Sequence, residues 1–506
     1  MAQETTGEHP TREWLVWSGG LLAAYLLATW ANWGRTLIET EIWALYFAGR
    51  PWGEQLAAIR GDLVHPPLMY FIERGWIVAF GGSDSAVKSL PLVINVPTFF
   101  LFPLLAKKVT GHWRLASFLF LAVYLRAGSV PQLVRMYGLA LLLVVGCLLL
   151  WEKWQREPHT GTLAAWAVCA ALLLYTHLFG ALVLAAFVLA NCMAGPRKLA
   201  FTAAAGVAGA AFLPWLLYVL PVYRSRGLEE NVWWVNKSIR FEVADFFYGL
   251  MGGVYPVAPQ ARIWLTLGVV LVHAALLVLA LYAVKRVGLP RRVAGQTNQW
   301  FWTSVVLTAF PFLLALGFSV TVVPSLHWRF LLGVFPTYWL LVTLIGQESG
   351  RAGRILLYGI LLPWTLVMTG TSYVMREQPS GIRQAARMLA DEPQPADRIL
   401  CETQCAAFYW EWTRWLGRSG RIERTTETQS ATTWLQIVPK ASLRVESFAG
   451  VARVWMLSEK LSGTTPSVRD VLRQNGFLRE RSAQFGDVVA EVYTRAQASN
   501  AETRQR

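Results

Sequence analysis

Long apolar runs alternate with short polar turns over the first three quarters of the chain. A helix of about 17 to 25 apolar residues is long enough to cross the hydrocarbon core of a bilayer. The runs predicted to be transmembrane helices are 14–33, 87–106, 114–130, 136–151, 162–178, 180–195, 199–220, 262–284, 300–320, 329–346 and 354–373. The pattern therefore predicts an all-α polytopic membrane protein with about eleven spans.

The pattern changes near residue 374, where the apolar runs end and a mixed composition begins. The elements predicted in this tail are a helix at 381–390, a strand at 398–401, an aromatic helix at 406–416, a strand at 451–457 and a helix that starts at Pro466. Because helices alternate with short strands, the tail is expected to be a soluble α/β domain. The predicted domains are a transmembrane domain at 1–373, with a first outer loop at 35–86, and a soluble domain at 374–506.

Composition supports membrane insertion and indicates an orientation. Hydrophobic residues make up 55% of the 506 residues, and the mean hydropathy is +0.38. The formal charge of +15 does not indicate nucleic-acid binding, because the basic residues lie in short loops without recognition motifs. Lys and Arg are retained on the cytoplasmic side during insertion. The loops predicted to be cytoplasmic contain Lys107, Lys108, Arg114, Lys153, Arg156, Arg197, Lys198, Lys285, Arg286, Arg291, Arg292, Arg351 and Arg354.

The first outer loop and the tail are then expected on the opposite face, which is the periplasmic face of a bacterial inner membrane. The two tail cysteines, Cys401 and Cys405, are four residues apart. This spacing permits either a strained disulfide on one helical face or no bond. A zinc site would need more ligands than these two cysteines provide. Three further cysteines lie in apolar runs and are interpreted as small buried hydrophobic residues.

Ionisable residues collect at the ends of the spans on this non-cytoplasmic face. They are Glu39, Glu41, His65, Arg74, Arg126, Arg135, His177, His327 and Arg329. A charged group at membrane depth costs about 2.5–3.5 kcal/mol on insertion scales, so each needs a physical reason. A single arginine could extend to the lipid headgroups, and a single histidine could cap a helix. As a set on one face, they indicate a shared anionic ligand.

Several short motifs follow one another in a characteristic order around the spans. They are His65-Pro66-Pro67-Leu68, Arg135-Met136-Tyr137, Tyr175-Thr176-His177-Leu178-Phe179-Gly180, Leu213-Pro214-Trp215 and Arg329-Phe330-Leu331-Leu332. In this order the chain resembles the GT-C glycosyltransferases over nearly its whole length. It is most similar to the bacterial branch related to protein O-mannosyltransferases, lipid A aminoarabinose transferases and lipid A galacturonosyltransferases.

The resemblance implies transfer of a hexosyl or pentosyl group from a polyprenyl-phosphate donor to lipid A, another glycan or a protein on the outer face. It implies an acid of the first loop as the catalytic base. The residues expected to bind substrate are His65, Arg74, Arg135, Tyr137, His177 and Arg329. A phosphate monoester has its second pKa near 6, so it can leave without a proton donor. One carboxylate and several cations are therefore a sufficient catalytic set. No cofactor and no metal ligand are assigned, and the question of a divalent metal stays open.

The base is expected to be Glu41, with Glu39 as the second candidate. Residues two apart on a helix point about 200° from each other, so only one of the two can face a cavity. The GT-C relatives usually carry Asp-Glu in this loop, where this chain has Thr40-Glu41. They also usually carry a second acid before the fourth span, where this chain has Gln132-Leu133-Val134-Arg135.

These departures keep two alternatives open. One is a non-catalytic relative, and the other is a transporter or flippase of lipid-linked sugars. A transporter would favour broken helices, charges near the midplane and repeated halves. The sequence instead places its ionisable groups at one face and contains no internal repeat.

Overall fold

The computed structural model describes residues 11–30, 37–62, 65–125, 130–226, 238–253, 259–288, 296–324, 326–374, 381–389, 398–401, 405, 408, 411, 422–426, 436–439, 448, 450–459, 468–485 and 488–495. It divides the chain into two compact units. The first comprises Met1–Trp33 and Phe47–Arg376, and the second comprises Gly34–Tyr46 and Glu377–Arg506. Part of the predicted loop 35–86 thus groups with the tail, whereas the sequence analysis placed all of it in the transmembrane domain.

The first unit is helical. Its elements, with the whole of the second helix included, are α1 (Thr11–Thr29), α2 (Glu39–Ala48), α3 (Trp52–Asp62), α4 (Leu68–Phe80), α5 (Asp84–Val109), α6 (Trp113–Leu125), α7 (Tyr137–Arg156), α8 (Thr160–Thr176), α9 (Gly180–Ala194), α10 (Lys198–Arg226), α11 (Ile239–Leu250), α12 (Pro259–Val287), α13 (Gln296–Thr321), α14 (Phe335–Glu348), α15 (Gly350–Arg354) and α16 (Leu362–Val374). A 3-10 turn at Val130–Gln132 precedes α7, and a second at Trp328–Val334 leads into α14. A π-helical stretch, Ile355–Leu361, joins α15 to α16.

Each of the eleven predicted spans overlaps one of these helices, so the prediction of an all-α membrane fold is confirmed. In the described part of the chain, seven helical segments are long and apolar enough to cross a membrane. They are Asp84–Val109, Tyr137–Arg156, Lys198–Ser225, Ile263–Val287, Asn298–Thr321, Trp328–Glu348 and Gly350–Gly370. Three further apolar helices, Trp113–Ala122, Thr160–Thr176 and Gly180–Met193, are shorter. The number of spans therefore stays a prediction.

Burial distinguishes central helices from peripheral ones. In Trp328–Glu348, 83% of the apolar span is buried inside the protein, whereas in Ile263–Val287 only 22% is buried. The central helices pack through large aromatic side chains, as in the edge-to-face contact of Trp151 and Trp300, whose ring centroids are 5.1 Å apart. A helix with an apolar outward surface is suited to contact lipid. The peripheral position of α12 therefore fits a membrane-facing role.

The second unit contains a six-stranded sheet in the order β3-β2-β1-β4-β6-β5. Its strands are β1 (Arg398–Cys401), β2 (Ile422–Thr426), β3 (Gln436–Pro439), β4 (Arg453–Glu459), β5 (Phe477–Phe485) and β6 (Val488–Arg495), with helices α17 (Ile382–Leu389) and α18 (Val468–Gln474). The first four strands pair in parallel, and β6 pairs antiparallel to both β4 and β5. This sheet confirms the predicted α/β character of the tail.

The core of this sheet is apolar, with one buried carboxylate. This core contains Leu400, Val454, Met456 and Tyr493, which pack together. Glu491 of β6 is buried and accepts from Arg469 at 2.7 Å and from Arg479 at 3.2 Å. A buried charge is tolerated when it is paired in this way.

Cys401, the last residue of β1, is disulfide-bonded to Cys405 across a Cα–Cα distance of 5.6 Å. The sequence had left this bond open, and the structure forms it. Of the predicted helix at 406–416, only Phe408 and Glu411 are described. The remainder of that prediction lies outside the described residues.

Candidate active site

Arg135 lies in the turn between the first 3-10 turn and α7. Asn95 of α5 holds this turn, because its side-chain amide donates to the carbonyl oxygen of Pro131 at 2.8 Å. Gly138, in the first turn of α7, makes the approach of the two helices close enough for that bond. A Cβ at Gly138 would lie 2.5 Å from the Asn95 side-chain oxygen, which no larger residue could accommodate without a shift. The position of Arg135 thus depends on a buried amide and a glycine in neighbouring helices.

The Arg135 guanidinium contacts His65, which is 70 residues earlier in the chain. Arg135 Nη2 is 3.2 Å from Nδ1 and 3.2 Å from Nε2 of the His65 ring. Both side chains are 7% exposed. An arginine N–H can donate only to a ring nitrogen that carries no proton. The contact therefore favours a neutral His65 beside the Arg135 cation.

His177 lies next to this pair, in the turn between α8 and α9. Its ring centroid is 6.0 Å from that of His65 and 5.9 Å from that of Tyr137. His177 Nδ1 accepts a hydrogen bond from the backbone N–H of Phe179 at 3.2 Å, which fixes the ring orientation. The other nitrogen, Nε2, is buried and has no hydrogen-bond partner within the described residues. Because Nδ1 is the acceptor, Nε2 of the neutral ring carries the proton and can donate.

Arg329 lies in the second 3-10 turn, which packs against α7. The turn begins at His327, whose Nδ1 accepts from the Arg329 backbone N–H at 3.2 Å. Phe330 connects this turn to the histidine, because its ring centroid lies 5.6 Å from that of His177. The Arg329 guanidinium lies 5.9 Å from the Trp328 ring centroid. Among the described residues, it has no ion pair with a carboxylate.

We call His65, Arg135, Tyr137 and His177, together with the turn that carries Arg329, the Arg135 cluster. It gathers five of the six residues that the sequence analysis assigned to substrate binding. It combines guanidinium groups, imidazoles and aromatic rings at one end of the helices. Such a set can donate several hydrogen bonds to an anion while its rings exclude water.

Arg74, the sixth residue, has other contacts. Its guanidinium donates to the carbonyl oxygen of Ala48 at 3.4 Å and to that of Arg50, and it lies 4.5 Å from the Trp52 ring centroid. These contacts join α4 to the region between α2 and α3. Arg74 therefore acts as a structural link there, because carbonyl oxygens and a ring face already satisfy much of its fork.

The two candidate bases lie in α2, in the part of the chain that belongs to the second unit. Glu41 is fully buried, and its Oε2 accepts from the backbone N–H of Ile38 at 2.9 Å. A glutamate that bonds back to the residue three positions earlier caps the start of its own helix. The side chains of Glu39 and Asp62, and the whole of Arg126, lie outside the described residues.

Sequence reasoning missed three kinds of residue. Asn95 stood out only as a single amide in an apolar run, and the buried acid Glu73 only as a charge in α4. Glu242 and Asp245 are buried in α11, which packs against the turn that carries Arg329. In the sequence, the aromatic residues of the segment 221–260 are compatible with an amphipathic helix on the membrane surface. Glu242 and Asp245 are three residues apart, which places them on one helix face, and this spacing was a signal that could have found them.

The aromatic residues of the segment 221–260 are only partly described by the structure. Phe246 is buried and stacks on Phe312 at a centroid distance of 4.7 Å. Trp233 and Trp234 lie outside the described residues.

Within the described part of the chain, no group of three or more His, Cys, Asp or Glu side chains is placed to hold a metal ion.

Comparison with known proteins gives a fold. No protein-family profile and no curated protein sequence matches the chain. The crystal structure of ArnT from Cupriavidus metallidurans bound to undecaprenyl phosphate is similar, with a TM-score of 0.56 and 12% sequence identity, over 96% of this chain and 98% of that chain. This chain has the ArnT-type GT-C fold. The resemblance in the sequence motifs is thereby confirmed at the level of the fold.

A second ArnT structure, in the apo state, matches with 14% identity over 94% of this chain and 98% of that chain, with a TM-score of 0.45. The ArnT-type fold and the apolar helices make this chain an integral membrane protein. At 12% identity, the fold does not transfer individual residues, so the roles of the Arg135 cluster depend on its own geometry.

Proposed function

We propose that this protein is a membrane glycosyltransferase, which transfers a sugar from a polyprenyl-phosphate donor to an acceptor. The observation that carries the proposal is the Arg135 cluster in a GT-C fold. The guanidinium groups and imidazoles at this end of the helices are hydrogen-bond donors of the kind that an anionic lipid headgroup accepts from. The similar ArnT structure was solved with undecaprenyl phosphate, a ligand of this chemical class.

Arg135 and Arg329 are assigned to the donor phosphate. A guanidinium fork can donate two parallel bonds to phosphate and keeps its charge at any physiological pH. His177 Nε2–H adds a neutral donor beside them. The negative charge on the departing phosphate increases as the sugar leaves, so donors aimed at its oxygens stabilise the transition state more than the bound donor.

The transfer needs one further group. The bond between the sugar C1 and the phosphate oxygen breaks, a bond from C1 to the acceptor atom forms, and the acceptor proton must move to a base. We assign this role to Glu41, with Glu39 as the second candidate. The bond from the Ile38 N–H holds the Glu41 carboxylate in a defined orientation.

The acceptor and the location belong to the proposal as well. Lipid A, another cell-envelope glycan and a protein are the acceptor classes, and the transferred group is a hexose or a pentose. The proposed location is the bacterial inner membrane, with the active site and the tail domain on the periplasmic side. The basic loops on the other side support this orientation.

Purified full-length protein incubated with radiolabelled polyprenyl-phosphate sugars tests the activity. We expect release of polyprenyl phosphate together with a labelled acceptor when cell-envelope lipid is added. Movement of intact donor across a vesicle membrane without cleavage would indicate a flippase. Binding without cleavage or movement would indicate a non-catalytic relative. Either of these two results would refute the proposal.

A further inference from the structure

A groove of about 680 Å³ lies between α1 and α6, away from the Arg135 cluster. Its walls are almost entirely apolar, and its volume lies within the range of about 300–1,000 Å³ that is typical of small-molecule sites. Arg12, Glu13 and Arg114 surround its mouth, and Leu21 and Leu121 form its buried floor. We call it the α1–α6 groove.

The two helices run parallel, which gives the groove a polar end and an apolar end. At the polar end, Arg114 pairs with Glu13. At the other end, the rings of Tyr25 and Tyr124 meet edge to face with centroids 5.8 Å apart. Both helices therefore begin at the mouth, where the positive ends of their dipoles add to the arginine charges.

The mouth carries a net positive charge. Arg12 and Arg114 outnumber Glu13, and Lys107 adds a further cation over the Trp113 ring, at 5.6 Å from its centroid. The Arg114 guanidinium lies 5.5 Å from the same ring. Tryptophan beside lysine and arginine is typical of the headgroup level of a membrane. An anion at the mouth would thus be stabilised by charge and by position.

The length of the groove matches one leaflet. From Arg12 to Ala24, α1 rises by about 18 Å at 1.5 Å per residue. Half of the hydrocarbon core of a bilayer is about 15 Å thick. An acyl chain whose headgroup lies at the mouth would end near the Tyr25–Tyr124 contact. The long tail of a polyprenyl lipid would extend well beyond that contact.

Gly20 provides the width of the groove. It lines the wall, and a Cβ built there has no atom within 4 Å. The neighbouring Gly19 also has open space around it but does not line the groove. A larger residue at Gly20 would therefore project into the groove without disturbing the packing of α1.

We propose that the α1–α6 groove binds one acyl chain of an anionic phospholipid, with its phosphate at Arg12 and Arg114. This lipid is separate from the sugar donor and lies at the end of α6 that is opposite to the Arg135 turn. The inference does not depend on glycosyl transfer, since it concerns a structural lipid of the surrounding membrane.

Native mass spectrometry of the full chain, released from detergent with added phosphatidylglycerol, phosphatidylcholine or polyprenyl phosphate, tests the proposal. We expect wild-type protein to retain phosphatidylglycerol over phosphatidylcholine, and Gly20→Leu to abolish that excess. Gly19→Leu is the matched control and should bind like wild type. Replacing Arg12 and Arg114 together by Gln should lower phosphatidylglycerol retention at least about fivefold, because a single basic residue near anionic lipid already contributes about that factor.

Ala24→Leu fills the same groove and replaces Gly20→Leu if that variant does not fold. Equal retention of phosphatidylglycerol by wild type and both groove-filling variants would refute the site. Loss of polyprenyl phosphate in place of phospholipid would show that the groove belongs to the donor. If wild-type protein is a dimer and the groove-filling variants are monomers without any lipid loss, the groove binds a second copy. Each of these results would refute the proposal.

Discussion

The two ends of the helix bundle both hold charged groups, but they satisfy them differently. At the end opposite to the Arg135 cluster, Glu152 of α7 is buried and pairs with Lys108 at 3.8 Å and with Arg156. Close by, the Gln155 amide donates to Asn191 at 3.0 Å. Acid, base and amide thus satisfy one another. We call this group the Glu152 network.

The Arg135 cluster has a different composition. Arg135 contacts the nitrogens of His65, and Arg329 has no carboxylate partner within the described residues. Arg135 thus lies against an imidazole and Arg329 beside an indole, and the buried acids Glu242 and Asp245 lie in the helix that packs against the Arg329 turn. The contrast teaches that one end of the bundle pairs its acids and bases within the protein, whereas the other end places guanidinium groups among rings, where they can also donate to a bound anion.

Reversal of the predicted orientation would break this contrast most completely. We expect alkaline phosphatase fused after residue 373 to be active, and the same enzyme fused at residue 292 to be inactive, because phosphatase folds only outside the cytoplasm. The expected difference is all or none, and whole-cell phosphatase assays with matched expression levels measure it. The opposite pattern would place the Arg135 cluster in the cytoplasm.

Removal of the proposed base should give the next largest effect. An isosteric amide cannot accept a proton, and general-base catalysis contributes about 10²- to 10⁴-fold. Glu41→Gln should therefore lower turnover at least about 100-fold with donor binding retained. Glu39→Gln is the matched control, for which we expect a much smaller loss. If the order of the two losses is reversed, the base is Glu39, and if both variants transfer sugar normally, this loop provides no base.

A conservative change in the Arg135 cluster should have an intermediate effect. Arg135→Lys keeps the charge but loses the planar guanidinium fork. Because one charge-assisted hydrogen bond is lost, we expect turnover to fall about 10- to 100-fold. Arg351→Lys, at an exposed position of α15, should leave turnover unchanged. Steady-state kinetics with labelled donor measure both variants. Full activity and donor affinity in Arg135→Ala would show that the phosphate lies elsewhere.

The smallest change is expected at the other end. Glu152→Gln removes a buried charge but leaves two partly exposed cations, so we expect a loss of about 1–3 kcal/mol in stability. Turnover below the melting temperature should stay normal. Thermal unfolding in detergent measures the first quantity and the transfer assay the second. A large loss of turnover without a loss of stability would mean that the Glu152 network also takes part in catalysis.

The fold could be predicted because its signals are local. Apolar run length predicts a spanning helix, and the apolar stretch at Arg398–Cys401 predicted β1 with the observed boundaries. Strand β5, Phe477–Phe485, was missed because it lies at the sheet edge, where five of its nine side chains are charged or polar. An edge strand with one solvated face carries little hydrophobic signal.

The candidate site could be predicted only in part. Charge at a span end predicts that His65 and Arg135 share a face, but their contact across 70 residues depends on how the helices pack. On the sequence alone, Arg74 and Arg135 were both expected to bind substrate. Only the packing shows that the Arg74 guanidinium donates to backbone carbonyl oxygens, whereas the Arg135 guanidinium contacts the His65 ring. A pattern along the chain contains no information on which acceptors turn towards a given side chain.

The Cys401–Cys405 disulfide has a consequence for how the protein matures. Such bonds form and persist in oxidising compartments and are rare in the cytosol. On the proposed periplasmic side, the tail would acquire this bond from the thiol-oxidising enzymes of the cell envelope as its chain is exported. Protein made in a reducing host would contain two free thiols at the end of β1, so the production strain itself becomes a determinant of sample homogeneity.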